Sequence, residues 1–368
     1  YDAVVDALFG TGFTGSIAAD SPAGRLLTWA NTCGPMLSID VPSGMDAATG
    51  AVEGVCARAI WTVTFHRPKP GLYLTERRDC VGEITVAPIG LPREFDPQGG
   101  LLVNEEGDLH TLLPDRPASA HKGDCGRTVI YAGSLGMAGA AMMAARAALH
   151  AGAGLTTVIC PRAAMPVLQQ EVPNATCLAA EDQPTPKCDA LLMGCGIAEN
   201  DDTYADMMRL KATDAYQVWD AGALNLLAGH PQQLGARAVI TPHAGEAARL
   251  LGWEIPAVLS DKLGAAEALR AKYGCNVVLK SAVTVMLTAD GQQCALNAVG
   301  SPALAKGGSG DALAGILASL LGQGLPMFDA MRAACLWLGL AGIAAGKRCG
   351  VRAALTGDVI DSLGACEG

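Results

Sequence analysis

Short apolar runs separated by Gly, Pro and Ser mark the chain from its first residues onward. Val4–Phe9, Met36–Val41, Ile60–Phe65 and Glu83–Ile89 each suit one strand, and Gly24–Asn31, between the first two, suits a helix. Strands alternating with helical stretches predict a parallel α/β sheet. The pattern lapses over Pro92–Asp108, where Pro97, Gly99, Gly100 and Gly107 interrupt it and predict a boundary. From His110 it resumes. Strands are predicted at Arg127–Ala132, Leu155–Cys160, Asp189–Met193, Gln217–Asp220, Ala238–Thr241, Val277–Lys280 and Val283–Thr288. Helices are predicted at Gly139–Gly152, Glu246–Leu251 and Asp261–Lys272, and the C-terminal third reads as helical. Its apolar run Ala333–Gly346 is shorter than a bilayer crossing requires and reads as a buried helix.

This organisation gives a first domain over residues 1–92, a linker over 93–109 and a second domain over 110–368. A chain of 368 residues favours two domains, and a hydrophobic share of 50% supplies their cores. Aromatics are scarce at 4%, while Ala and Gly are abundant, as in tightly packed α/β enzymes. The formal charge of −10 argues against nucleic acid as a partner. The 13 cysteines show no Cys-x-x-Cys spacing and read as reduced, buried thiols of a cytoplasmic protein. The chain opens on Tyr1, and Asp2–Gly10 resembles the middle of a domain, so the N-terminal half of the first domain is expected to lie outside this sequence.

Candidate chemistry concentrates at Lys306-Gly307-Gly308-Ser309-Gly310-Asp311, which opens the apolar segment Ala312–Leu321. Small residues before a helix let backbone N–H groups approach an anion, and the helix start adds its dipole. Asp311 would then stand beside a phosphate as a base for a hydroxyl. The plainer reading is a Gly-rich turn with Asp311 as an N-cap. Further clusters follow predicted strands: Gly133–Ala140, Gly194–Gly196, Asp220–Asn225, Thr241–Glu246 and Lys280-Ser281. In open α/β sheets, ligands bind at the carboxyl ends of strands, so these clusters predict one cleft.

Taken in order, His121–Gly126, Gly133–Ala140, Thr241–Glu246 and Gly307–Gly315 resemble the ADP-dependent NAD(P)H-hydrate dehydratase family, a branch of the ribokinase-like fold. The likeness covers residues 110–368. Val5–Gly12 and Ile39–Gly44 resemble the C-terminal half of the NAD(P)H-hydrate epimerase domain. The implied architecture is a three-layer ribokinase-like dehydratase domain preceded by a truncated, Rossmann-like α/β epimerase domain. The implied substrate is NAD(P)H-hydrate, dehydrated at the expense of ADP with Mg²⁺, releasing AMP and phosphate. The epimerase part implies K⁺. The family also implies a homo-oligomer, a tetramer through the dehydratase domain, with neither membrane nor nucleic-acid partners.

By matching position, Asp311 is the implied catalytic base and also contacts the hydrate, together with Ala140, Gly196 and His243. Lys280, Ser281, Ala282, Val283 and Thr284 match the ADP loop, and Gly307, Gly308, Ser309 and Gly310 match the phosphate turn. In the first domain, Gly10, Thr11, Gly12 and Asp40 match substrate positions, while Asp6 and Ser43 match K⁺ ligands. Asn225 reads equally as a cleft residue or a helix cap.

The chain departs from the family pattern at Cys195, where Pro is usual, and at Gly222, where Asp is usual. Ser281 and Val283 stand in place of two glycines of the ADP loop, and Lys306 replaces a small residue. The loop changes bear on the choice between ADP and ATP. Two other readings stay open: a small-molecule kinase of the same fold, and a nucleotide-binding regulatory protein with a decayed site.

Overall fold

The structure is a computed structural model that describes residues 2–92, 94 and 100–367. Pro97 and Gly99 of the expected boundary lie outside the described residues. The chain divides into two compact units, Tyr1–Leu101 with Leu259–Lys262, and Leu102–Val258 with Leu263–Gly368.

The first unit contains β1 (Val4–Asp6), β2 (Ser16–Ile17), β3 (Met36–Ile39), β4 (Glu53–Gly54), β5 (Trp61–Phe65) and β6 (Glu83–Ala87). Four of them form a parallel sheet in the order β1-β3-β5-β6, and β2 pairs with β4. The expected strand Val4–Phe9 stops at Asp6, whose buried carboxylate accepts from the Leu8 N–H and bends the chain. Helix Pro22–Ala30 starts on Ser21, which accepts from the Gly24 N–H, with Pro22 at the first helical position. Its Leu27 and Ala30 pack with Ile17, Met36 and Ala57. Val5, Trp61 and Phe65, on one face of the sheet, are exposed, although parallel sheets are ordinarily covered on both sides.

The second unit holds β7 (Leu101–Val103), β8 (Arg127–Tyr131), β9 (Leu155–Cys160), β10 (Thr176–Ala179), β11 (Ala190–Met193), β12 (Tyr216–Trp219), β13 (Ala238–Ile240), β14 (Asn276–Leu279), β15 (Thr284–Leu287) and β16 (Cys294–Asn297). They form one sheet in the order β10-β9-β8-β11-β12-β13-β14-β15-β16-β7. Pairing is parallel from β10 through β14 and antiparallel from β14 through β16. Chain order reverses at β8, whose neighbours β9 and β11 run away to opposite sides. Such a switch point leaves a crevice at the strands' carboxyl ends.

The connections between parallel strands then carry helices, which pack onto the sheet. Helices Ala138–His150, Ser309–Gly322 and Met327–Cys349 share one core cluster with β8, β9 and β11. Helices Asp201–Lys211, Gly222–Gly229 and Ala244–Leu251 bury Met207, Leu210, Leu224, Leu227 and Leu250 elsewhere. Three layers result, as the resemblance implied.

Three differences from the sequence reading have physical causes. β7, inside the stretch expected as linker, joins the sheet edge, and the Asn104 N–H donates to the Leu296 carbonyl at 2.8 Å. β10 and β16 carry few β-branched residues, so their sequences signal strand weakly. The apolar C-terminal helix is 23 residues, Met327–Cys349, long and apolar enough to cross a membrane by length and composition. Its Ala330, Met331, Leu336, Trp337 and Ala341 are instead buried in the core. All 13 cysteines are free; seven are buried and six half-buried.

Candidate active site

Helix Ser309–Gly322 begins at the crevice. Gly308, its N-cap, has φ +93°, a conformation that disfavours any side chain. The Thr356 hydroxyl donates to the Gly307 carbonyl at 2.9 Å and fixes the turn. Asp311 is the third helical residue, near the positive end of the dipole.

Asp220 directly follows β12, and the residue is buried at 1% exposure. It accepts from the Lys280 ammonium at 2.6 Å and from the Thr241 hydroxyl at 2.7 Å. A Cβ on Gly310 would lie 3.2 Å from Lys280 Nζ, so the ammonium stands over the helix start. Burial pulls the Lys280 pKa down, but Asp220 and Glu246 outweigh it and leave the group above its ordinary value. Cys195 Sγ and carboxylate oxygens of Asp220 and Asp311 lie within 4.8 Å of one another. Burial pushes the Cys195 thiol well up, with Asp311 and Asp220 adding to the rise, so it stays protonated. Burial, then the charge of Asp220, lifts Asp311 to about 6, against the opposing pull of the Cys195 hydrogen bond and Lys280.

Close packing holds this cluster. Gly194 has φ +125°, and a Cβ there would lie 1.8 Å from the Asp220 carbonyl oxygen. A Cβ on Gly196 would lie 2.8 Å from the Ala140 Cβ, so these two expected hydrate contacts touch each other. At Gly222, where the family pattern has Asp, a Cβ would lie 2.7 Å from Ile197 Cγ1. Asn225 is engaged by Glu199 and Arg249.

His243 caps helix Ala244–Leu251. Its Nδ1 accepts from the Gly245 and Glu246 N–H groups at 3.0 and 3.3 Å, while Glu246 accepts from the His243 N–H at 2.8 Å. That reciprocal box assigns the proton of the neutral ring to Nε2, which remains a donor on an exposed face.

Beside this cluster lies a cavity of about 720 Å³, the size of a nucleotide site. His243, Lys280, Ser281, Ala282, Thr284 and Gly310 contribute to one side of it, and Val299, Leu304 and Leu338 form an apolar part. Val283 is buried and off the lining, so one of the two residues standing for loop glycines does not obstruct the cavity. Gly307, Gly308 and Asp311 are not among the lining residues, whereas their neighbours Ser309 and Gly310 are. Buried hydroxyls of Ser309 and Ser134 have no hydrogen-bond partner among the described residues.

Sequence reasoning did not single out Cys195, Glu246 or Ser134 as site residues, nor the wall built by β16 and residues 298–305. His121–Gly126, quoted for the resemblance, precedes β8 at the sheet's opposite end. A Cβ on Gly126 would lie 2.1 Å from the Gly322 carbonyl oxygen, so this motif packs structure rather than lining the crevice.

In the first unit, Asp6 accepts from the Ser38 hydroxyl at 2.8 Å and from the Ser43 N–H and hydroxyl at 2.9 and 2.6 Å. These hard oxygens suit a cation chemically, and here they hydrogen-bond one another. Asp40 has φ +70° and accepts from Lys69 and from the Phe65 N–H at 3.2 Å. A Cβ on Gly10 would lie 3.7 Å from Asp40 Oδ2, so the loop carrying Gly10, Thr11 and Gly12 stands beside it.

A family model described as NAD(P)H-hydrate dehydratase matches residues 128–363, and one described as YjeF-related protein N-terminus matches residues 1–71. The bifunctional NAD(P)H-hydrate repair enzyme of Vibrio cholerae is 37% identical over 92% of this chain and 69% of its own length. The Escherichia coli protein of the same description is 37% identical, over 98% of this chain and 71% of its own length. Among solved structures, the ADP/ATP-dependent NAD(P)H-hydrate dehydratase of Bacillus subtilis, co-crystallised with ATP/Mg²⁺, is similar with a TM-score of 0.66 and 25% identity, covering 72% of this chain and 97% of that one. A ribokinase-like superfamily protein of Enterococcus faecalis gives a TM-score of 0.66 and 26% identity, covering 72% of this chain and 94% of that one. On this sequence likeness across both units, the chain belongs to the family of bifunctional NAD(P)H-hydrate repair enzymes.

Proposed function

We propose that the second unit dehydrates NAD(P)H-hydrate to NAD(P)H, taking the S epimer and converting ADP to AMP and phosphate. The observation that carries this reading is the position of Asp311: a carboxyl lifted to about 6, beside a cavity of nucleotide size. At neutral pH such a carboxylate is mostly ionised yet basic enough to accept a proton.

The ring hydroxyl of the hydrate gives its proton to Asp311 as the terminal phosphoryl group of ADP passes to the hydroxyl oxygen. The bond from phosphorus to the AMP oxygen breaks, and AMP leaves. The ring nitrogen then expels phosphate, and loss of a proton from the adjacent ring carbon restores the reduced ring. Gly307–Gly310 hold phosphate through N–H groups, and Ser281, Ala282 and Thr284 border the nucleotide. His243 offers Nε2–H to a carboxamide or ribose hydroxyl of the hydrate. Ala140 and Gly196 leave room for its ring.

Mg²⁺ would screen the phosphate charges when it arrives with the nucleotide. Cys195 brings a soft sulfur to the carboxylate cluster and Asp220 is already paired, so the protein's own donors do not fit a resident Mg²⁺. For the first unit we propose epimerisation of the R and S hydrates, with Gly10, Thr11, Gly12 and Asp40 facing substrate. No step is assigned to K⁺ there.

The test is absorbance near 340 nm after mixing the protein with NADH-hydrate, Mg²⁺ and ADP, then ATP. A rise that Asp311→Ala abolishes supports the reading. Folded protein that gives no rise with either nucleotide overturns it.

A further inference from the structure

The phosphate end of the cavity is short of positive charge. Lys280, which opens the loop matched to ADP, has its ammonium held by Asp220 at 2.6 Å. Asp311 and Glu246 add two more carboxylates whose fields overlap at the same place. One ammonium therefore faces three acids, and a polyphosphate placed against Ser309 and Gly310 meets a repulsive field.

Lys306 changes that balance. It lines the same cavity as Lys280, Ser309 and Gly310 and immediately precedes the Gly307-Gly308 turn. Its ammonium donates to the Arg352 carbonyl at 2.7 Å, and among the described residues it forms no ion pair. Asp358, whose carboxylate feels the Lys306 charge, accepts from the Leu355 N–H at 2.8 Å and stands 3.6 Å from Arg348. A lysine held by one neutral carbonyl keeps its charge available to an anion, whereas a lysine held by a carboxylate does not. Four carbons of flexible stem let the head swing without moving the backbone. The unpartnered Ser309 hydroxyl, two residues past the turn's first glycine, adds a donor at the same end.

We infer that Lys306 is the phosphate-chain cation of this cavity and sets its preference for nucleoside di- and triphosphates over the bare nucleoside. The inference rests on the nucleotide reading of the cavity. Lys306 leaves the Arg352 carbonyl for the phosphate chain on binding, and Lys280 stays with Asp220. Because Lys306 touches the nucleotide and not the hydroxyl being phosphorylated, its effect falls on binding and not on turnover.

The experiment is calorimetric titration of the full chain with ADP, ATP and adenosine in Mg²⁺ buffer, for wild type, Lys306→Met and Lys306→Arg, with steady-state rates beside it. Loss of one charge-assisted contact should weaken ADP and ATP about tenfold in Lys306→Met. Adenosine binding should be unchanged, and Lys306→Arg should come within about threefold of wild type. KM for ADP should rise while kcat stays within about twofold, the pattern of lost uniform binding. Equal ADP affinity in wild type and Lys306→Met would overturn the assignment alone. A wild-type chain that binds no ADP would remove the nucleotide reading, and this assignment with it.

Discussion

Lys280 and Asp220 form a half-buried ion pair, Nζ to Oδ1 2.6 Å, at the point where the helix Ser309–Gly322 begins. Sixty residues separate them in sequence, and parallel pairing of β12 with β13 and of β13 with β14 brings them together. Removing Asp220 takes away the one carboxylate that hydrogen-bonds the Lys280 ammonium and leaves it only the fields of Glu246 and Asp311. Asp220→Asn should therefore lower stability by about 1–3 kcal/mol, and the double change with Lys280→Met should cost less than Asp220→Asn alone. Urea unfolding of wild type, Asp220→Asn, Lys280→Met and the double variant checks this; a double variant as unstable as the sum of the singles would show that the pair does not act as a unit.

The pH dependence of turnover follows from Asp311. Its carboxyl is lifted to about 6, so kcat/KM should fall on the acid side as pH drops through that value. The Cys195 thiol stabilises the ionised form by hydrogen bonding to it. Cys195→Ala should move the acid limb to higher pH without removing it. Rate profiles across about pH 5 to 8 measure the shift. A limb that stays in place would show that the thiol does not touch the reacting carboxylate.

Much of this arrangement was legible in the chain itself. Apolar runs located most of the strands, and Gly-rich clusters located their carboxyl ends because tight turns there require glycine. Gly308 at φ +93° and Gly194 at φ +125° are direct cases. Pairings across the sheet left no local trace: nothing near Lys280 announces Asp220, and nothing near Asp311 announces Cys195. Val283 looked like an obstruction in the nucleotide loop because a linear motif does not say which way a side chain turns. His121–Gly126 carried the family resemblance with the other motifs, although it lies at the far end of β8.

Stability should also report Asp311. The folded value, about 6, lies above the ordinary 3.8, so the folded chain holds a proton that the unfolded chain releases between those values. That contribution is present in full below about 3.8 and is lost as pH rises through about 6. Above that point the folded protein carries a half-desolvated negative charge beside Asp220. Asp311→Asn should therefore be more stable than wild type at pH 8, by about 1–3 kcal/mol, while losing activity. Melting curves at about pH 4 and 8 test the sign, since the gain should shrink toward the lower pH. A variant that is equally destabilised at both would mean that Asp311 serves the fold through its hydrogen bonds.

One turn beyond Asp311, the same helix makes a close contact through a glycine. Gly315 packs on helix Ala138–His150, and a Cβ there would lie 2.2 Å from the Ala144 carbonyl oxygen and 3.0 Å from its carbonyl carbon. Helix propensity favours Ala over Gly by about 1 kcal/mol, so on local grounds Gly315→Ala should stabilise. Backbone cannot yield as a flexible side chain can, however, and the two helices must separate. We expect Gly315→Ala to destabilise by about 1–3 kcal/mol net. Because the helix carries Gly310 and Asp311 at its start, the same displacement should reduce kcat, on the order of a hundredfold for a shift of about 1 Å. Gly139→Ala is the control: Gly139 lies in the partner helix with nothing within 4 Å of its would-be Cβ. There the propensity term stands alone, and the melting temperature should hold or rise. Parallel melting curves for the two variants separate the effects, and a Gly315→Ala protein as stable as wild type would mean that the helices yield without strain.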